Sequence, residues 1–532
     1  MRKLVIAAAL AANLAPAPQA PPAGPPKLAV ILVVDQMRAD YVDRFQGQWT
    51  GGLKRMIAEG ASFPQAAYPY LTTVTCAGHA TIATGSFPHT HGMFQNAWWD
   101  RETKKQVLCT EDSRVKDVPY GAPALSGDSA YRLQVPTFAD VMRIERKAHV
   151  VSLSLKDRSA IMLAGHGGDA VTWLSDTLDG WMTSPVYTET PVPAVKAFLD
   201  ANPMSADFGK TWAKTLPASA YSGQDDAAGE APPAGWTRSF PHELNGTTGV
   251  ADGSFFTQWQ RSPFADAYLG RFAAALVKAF HLGTHETTDV LAVSFSTPDL
   301  VGHAFGPRSH EVQDLFANLD RTIGVLFDEL DAQVGKRRWV AALSSDHGVT
   351  PIPEQLVAEG KDGGRIVGGA IIDAVNQALL PTLGQGRHVT ALSTNDLYFA
   401  PGVYDMVRRN PAAMSAAAAA IAARPGVMRV FRSEDVRDAA NAKDPLLRAA
   451  ALSYFPGRSG DLIIVTKPGW MISSAGTTHG SAHPDDQRVP LLFLGLGVKP
   501  GRYEQPATPA DLAPTLAAIV GVSLKAEGHP LF

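Results

Sequence analysis

Several short stretches of the chain are apolar without alternation: LAVILVVD at 28–35, AHVVSLSL at 148–155, DVLAVSFS at 289–296, RWVAALSS at 338–345 and VPLLFLG at 489–495. A strand with one wet face alternates; a run like these is the pattern of a strand buried on both faces of a parallel sheet. Each run gives way to polar or Gly-containing turns. Helical periodicity fills the intervals, most clearly in SHEVQDLFANLDRTIGVLFDELDAQVG. There Val312, Leu315, Phe316, Leu319, Ile323, Leu326, Phe327 and Leu330 share one face. The alternation predicts an α/β fold with a mostly parallel central sheet flanked by helices. Ligands of such sheets lie beyond the carboxyl ends of the strands, where Asp35, Lys156, Asp299 and Asp346 fall.

Two regions break the rhythm and read as insertions forming an accessory or cap region. Residues 175–260 are rich in Pro, Gly, Ser, Thr and Trp with weak periodicity. Residues 355–475 are better ordered, with an Ala-rich helix near PAAMSAAAAAIAARPG and strands near DLYFAPG and DLIIVTKPG. The chain closes with TPADLAPTLAAIVG, a Thr-capped helix with Pro509 early in its first turn.

The start of the chain changes the picture further. Arg2 and Lys3, the apolar LVIAAALAANLA and a Pro-rich, small-residue stretch read as a signal peptide and leader over residues 1–24. This predicts a periplasmic or secreted protein whose remaining residues 25–532 form one catalytic domain with no stable membrane span. At 45% hydrophobic and 18% charged residues the composition is that of a globular protein, and a net charge of −4 gives no reason to expect nucleic acid as a partner. Export would permit Cys76 and Cys109 to pair; two separate buried thiols are the alternative.

The candidate chemistry lies at strand ends. Asp35 closes the first apolar run, Thr75 stands in TVTCAGHATIATG, Asp299 and His303 in STPDLVGHAFG, Asp346 and His347 in SSDHG, and His479 in GTTHGS. Asp and His of this kind can hold paired divalent ions around a hydroxyl nucleophile, an arrangement suited to hydrolysing phosphate esters. Asp299 and His303 are four apart, on one face of a helical turn. Taken singly these motifs have bland readings: a surface Asp-His pair, an Asx turn at a strand end, a capping Thr. Thr72, Thr73 and Thr81 compete with Thr75 on composition alone, and His483 competes with His479.

In their order along the chain these motifs resemble the alkaline phosphatase superfamily, specifically its bacterial phosphate-irrepressible type with a threonine nucleophile. The resemblance matches Thr75 and His79 to T-x-x-x-H, Asn96 in GMFQNAWWD to the family asparagine, and Lys156 and Arg158 to a K-x-R pair. It implies two zinc ions, one held by Asp299, His303 and His479, the other by Asp35, Asp346, His347 and the Thr75 oxygen, with His79 structural. Two dications would balance the three carboxylates and a Thr75 alkoxide, leaving Lys156 and Arg158 as excess positive charge for a phosphate dianion. The implied activity is phosphate monoester hydrolysis through a phosphothreonine, with Asn96, Lys156 and Arg158 holding the non-bridging oxygens.

The nearest rival is a phosphodiesterase or phosphonate hydrolase of the same superfamily. The Lys156/Arg158 pair argues against it, because a diester carries one charge and a second substituent where those cations would bind. A sulfatase would need a C-x-P-x-R setting that Cys76 lacks. From a different class, a zinc-dependent binding protein would show metal affinity without turnover.

Overall fold

The apolar runs form the middle of a ten-stranded sheet. The computed structural model of the protein describes residues 24–121 and 123–532, so the leader assigned to residues 1–24 lies, up to residue 23, outside the described residues. The strands of the central sheet are, in chain order, β1 Leu28–Val34, β2 Ala61–Ser62, β3 Val118–Pro119, β4 Val150–Ser154, β5 Ala170–Leu174, β6 Trp181–Thr183, β7 Asp289–Phe295, β8 Trp339–Ser344, β9 Leu491–Gly495 and β10 Gly501–Arg502. Across the sheet they run β10-β2-β9-β8-β1-β7-β4-β5-β6-β3. The five strands from β8 to β5 are mutually parallel.

Strand β1 shows why the runs do not alternate. Leu28, Val30, Leu32 and Val34 enter the core shared with Phe272, Leu276, Leu315 and Phe316, while Ala29, Ile31 and Val33 enter the opposite core with Ile82, Leu512 and Leu516. All seven β1 residues are fully buried, and each large side chain contributes about 1.5–3 kcal/mol against conformational entropy. The first face is covered by helices Pro263–Ala279 and His310–Leu330, the second by Thr75–Thr84 and Leu512–Val520. All eight apolar positions expected on one face of the 310–330 helix are buried.

The structure differs from the expectation beyond β8. The VPLLFLG run forms β9, which pairs antiparallel with both β8 and β2 and carries no site residue. It is buried on both faces like the parallel strands of the sheet, and an apolar run does not encode strand direction.

Residues 364–472 contain a second sheet, antiparallel, in the order Val389–Ser393, Asp396–Phe399, Leu462–Thr466, Val427–Arg432. Helices Gly368–Leu383 and Pro411–Ala422 pack on it around Ile371, Val375, Leu379, Ile421 and Ile464. Residues 175–260 are anchored by buried Trp212, Trp236, Phe255 and Trp259 rather than by long strands; aromatic anchors at irregular spacing leave no periodic signal. Among the described residues no helix is long and apolar enough to cross a membrane.

Candidate active site

Four neighbouring strands deliver the core of the site. Asp346 and His347 lie two and three residues past β8, Asp35 one past β1, and Lys156 two past β4. Asp299 lies in the helix Thr297–Phe305 that follows β7. Parallel register brings these ends level, with Val34 beside Phe295 and Val33 beside Ser344. Thr75 opens the helix Thr75–Thr84, whose N-terminal amides favour an anion. His479 comes from the loop after the small sheet, and Asn96 precedes a hairpin formed by Ala97–Asp100 and Lys105–Leu108.

The three histidines share one device. His303 Nδ1 donates to the Thr477 carbonyl at 2.7 Å, His479 Nδ1 to the Thr73 carbonyl at 2.7 Å, and His347 Nδ1 to the Gly348 carbonyl at 2.9 Å. A carbonyl can only accept, so each neutral ring must keep its proton on Nδ1 and turn an unprotonated Nε2 inward, the state a metal ligand needs. Asp299 Oδ1 lies 3.1 Å from His303 Nε2 and 3.6 Å from His479 Nε2. His347 Nε2 lies 3.5 Å from Asp35 Oδ1, 3.4 Å from Asp346 Oδ2 and 3.4 Å from Thr75 Oγ1.

Among the described residues two clusters have the reach of a cation: Asp299, His303 and His479; and Asp35, Asp299 and His347. The second cluster draws on Asp299 where the expected set has Asp346. Asp346 Oδ2 nevertheless faces the same His347 nitrogen, and both it and Asp35 Oδ1 are buried and make no hydrogen bond, His79 Nδ1 lying 3.3 Å from Asp346 Oδ2 but closer to the Thr75 carbonyl. Orphaned carboxylate oxygens opposite free imidazole nitrogens fit a divalent ion.

The model of the type I phosphodiesterase / nucleotide pyrophosphatase family matches residues 29–486. Alkaline phosphatase PafA of Elizabethkingia meningoseptica is 32% identical over 518 residues, covering 95% of this chain and 94% of that protein. Alkaline phosphatase PhoV of Synechococcus elongatus is 30% identical over 508 residues, covering 93% and 90%. The crystal structure of wild-type PafA superposes with a TM-score of 0.87 at 30% identity over 96% of this chain and 99% of that one. The chain belongs to the alkaline phosphatase superfamily.

Burial and crowding of charge set the electrostatics of this superfamily site. Burial, then the neighbouring Asp299 and Asp346 carboxylates, push the Asp35 carboxyl well above its usual range, with Lys156 opposing. Burial also works against ionised Asp299 and Asp346, yet the adjacent imidazoles and Lys156 hold both well below the usual range. Burial lowers His347 and pushes His479 down strongly, which favours neutral ligand imidazoles. His303 is raised because Asp299 outweighs burial.

Lys156 is placed on carboxylates: its ammonium is 2.6 Å from both Asp35 Oδ2 and Asp299 Oδ2. Arg158 is 3.4 Å from Asp157 Oδ1, with its Nε buried and unpartnered. Asn96 is held from below. Its Oδ1 accepts from the Cys76 amide at 2.8 Å and its carbonyl accepts from the Cys109 amide at 2.9 Å, which turns its amide NH2 to the cavity it lines with Val74, His303 and His479. Cys76 and Cys109 form a disulfide, so the first turn of the Thr75 helix is bonded to the hairpin beside Asn96.

His79 donates Nδ1–H to the Thr75 carbonyl at 2.9 Å and accepts from Ser294 Oγ at 2.8 Å. His483 donates to the Thr466 carbonyl, away from both cation clusters. Thr73 and Thr81 are occupied elsewhere, by the Ser481 carbonyl and by Tyr70 and His91.

Sequence reasoning passed over Gln36. It is buried, its side chain donates to Asp299 Oδ1 at 2.6 Å and its backbone amide donates to Asp346 Oδ1 at 3.1 Å. Its φ of 66° is a left-handed conformation that a non-glycine residue adopts at a cost. Its adjacency to Asp35 was the one available signal; the backbone twist that aims it at Asp299 is not written in V-D-Q-M.

Proposed function

We propose that this protein is a phosphomonoesterase that works through a covalent phosphothreonine at Thr75, with two zinc ions in the site, and that it acts in the periplasm or outside the cell. The carrying observation is the three imidazoles locked with Nε2 inward, converging with orphaned Asp oxygens beside a hydroxyl at a helix N-terminus. Asp299, His303 and His479 would hold one ion, and Asp35, Asp346, His347 and Thr75 Oγ1 the other. Ions bound there supply the positive charge that favours a Thr75 alkoxide and offsets charge on the departing oxygen.

Thr75 gives its hydroxyl proton to solvent and its Oγ1 attacks phosphorus in line; the Oγ1–P bond forms as the ester P–O bond breaks, and the departing oxygen takes a proton from water, so the alcohol leaves with no net change in protons. A water molecule then attacks the phosphothreonine, the P–Oγ1 bond breaks, and inorganic phosphate and the Thr75 hydroxyl are restored. The Asn96 amide, pre-set by the Cys76 and Cys109 amides, donates to a non-bridging oxygen. Lys156 and Arg158 complete the clamp on a dianion. For Lys156 this means exchanging at least one of its two carboxylates for phosphate, which cations competing for Asp35 and Asp299 favour.

The Lys156/Arg158 pair supports monoester over diester preference, since a monoester presents two ionised oxygens. Export is supported by the leader pattern and by the Cys76–Cys109 disulfide, a bond that persists in oxidising compartments.

The zinc-loaded protein and Thr75→Ala would be compared on phenyl phosphate and diphenyl phosphate at alkaline pH, with acid quenching to trap labelled phosphate on the protein. We expect monoester preference, and label on Thr75 that vanishes in the variant. Label on another residue, or turnover unchanged in Thr75→Ala, refutes the nucleophile; diester preference refutes the substrate class.

A further inference from the structure

Two cavities among the described residues are lined by His303. One, of about 320 Å³, reaches Asn96, Thr394, Trp470 and Ile472, and no Lys or Arg lines it. The other, of about 380 Å³, runs past Leu300 and Thr477 to Arg261, its only Lys or Arg.

Arg261 sits in the tight connection between helices Gly253–Trp259 and Pro263–Ala279. Its backbone is pinned by its amide donating to the Gln258 carbonyl at 3.0 Å and by Ser262, whose amide and hydroxyl both reach the Trp259 carbonyl. The guanidinium makes one hydrogen bond, Nη1 to the Thr257 carbonyl at 3.0 Å, and among the described residues it forms no ion pair. Arg158, Arg238 and Arg365, by contrast, are paired with Asp157, Asp226 and Glu354. Burial pulls Arg261 below its ordinary value, and the Asp299 carboxylate opposes this in part. A partly buried guanidinium without a counter-anion is costly, and its planar donor fork matches a carboxylate or phosphate.

We propose that Arg261 is a specificity-determining residue: with the cavity between it and His303 it forms a subsite for an anionic group, carboxylate or second phosphate, on the alcohol half of the substrate. This rests on the phosphomonoesterase reading. Preferred substrates are then monoesters of hydroxy acids or of phosphorylated alcohols, with the reacting phosphate at Thr75 and the second anion at Arg261. A purely structural reading has Arg261 only closing the end of the Gly253–Trp259 helix through Thr257.

The test compares kcat/KM for 4-carboxyphenyl phosphate and phenyl phosphate in zinc-loaded wild type, Arg261→Gln and Arg261→Lys, each at low and high salt. The ratio of the two substrates cancels any general effect on the site. We expect it to fall about tenfold in Arg261→Gln, mainly through KM, and to be partly retained in Arg261→Lys. In wild type it should also fall as salt rises. A ratio unmoved within twofold overturns the subsite, as does an equal loss on both substrates, the signature of a structural role. Should Arg261→Gln fail to fold, a salt-independent ratio in wild type overturns it alone. If wild type hydrolyses neither ester, the phosphomonoesterase reading itself is what fails.

Discussion

Gly78→Ala is a one-methyl test of how the Thr75 helix is seated. The helix Thr75–Thr84 lies against the backbone of Asp346, and a Cβ on Gly78 would stand 2.1 Å from the Asp346 carbonyl oxygen and 2.5 Å from its Cα. Ordinary contact begins at 3.4 Å, so the two segments must separate by about 1 Å, and both sides of the clash are backbone that no rotamer change can relieve. That separation parts Thr75 from Asp346 and His347, which now meet it through the 3.4 Å approach of Thr75 Oγ1 to His347 Nε2. Overpacking of this kind costs about 1–3 kcal/mol of stability. A 1 Å misplacement of a reacting group costs on the order of 100-fold in rate. The assay is kcat/KM on phenyl phosphate, zinc affinity by chelator competition, and thermal unfolding, each beside an exposed helical control, Gly369→Ala, where no atom lies within 4 Å of the new methyl. The control shows what a methyl on a helical glycine does where there is no clash. If Gly78→Ala keeps wild-type zinc affinity and activity within about twofold, the close seating of this helix does not hold the site together and the reasoning is wrong.

Replacing Cys76 and Cys109 by Ser removes a cross-link between residues 33 apart; we expect a loss of about 3–4 kcal/mol in denaturant unfolding, with kcat falling as Asn96 loosens, and unchanged stability would refute the first part. Removing Lys156 and Arg158 together should cut monoester kcat/KM by about 100-fold or more, from two charge-assisted contacts of about 1.5–3 kcal/mol each, while sparing diester hydrolysis; equal losses sink their assignment to the phosphate. Burial pushes Glu311, whose carboxylate meets His242, up to about 8 from 4.5. The folded protein thus keeps a proton that the unfolded chain gives up, and stability drains away as pH rises from about 4.5 to about 8. Glu311→Gln should therefore unfold later than wild type at pH 8, by on the order of 4 kcal/mol, with the gap closing towards pH 4.5; a gap independent of pH would contradict this.

Much of the fold was legible because burial on both faces of a sheet leaves an unbroken apolar run, and burial of one helix face leaves a period near 3.6. The direction of β9 was not legible, since an apolar run reads the same in a parallel or an antiparallel neighbour. Residues 175–260 read as irregular because their core contacts are tryptophans and phenylalanines at uneven spacing. The site was visible as Asp, His and Thr motifs in a familiar order, but each was ordinary taken alone.

Periodicity and spacing along the chain establish the alternation of buried strands and helices, and a set of oxygen and nitrogen donors placed where strands end. How those donors meet follows from packing alone. Register brings Asp35, Asp299, Asp346 and Lys156 level; carbonyls of Thr73, Gly348 and Thr477 orient the three imidazoles; Gln36 reaches Asp299 through a left-handed backbone. The disulfide likewise became definite only when two segments 33 residues apart were packed together. The physical reason is common to all of these. Local periodicity follows from the geometry of single elements, whereas tautomer, charge and reach depend on groups that the chain brings together from tens to hundreds of residues away.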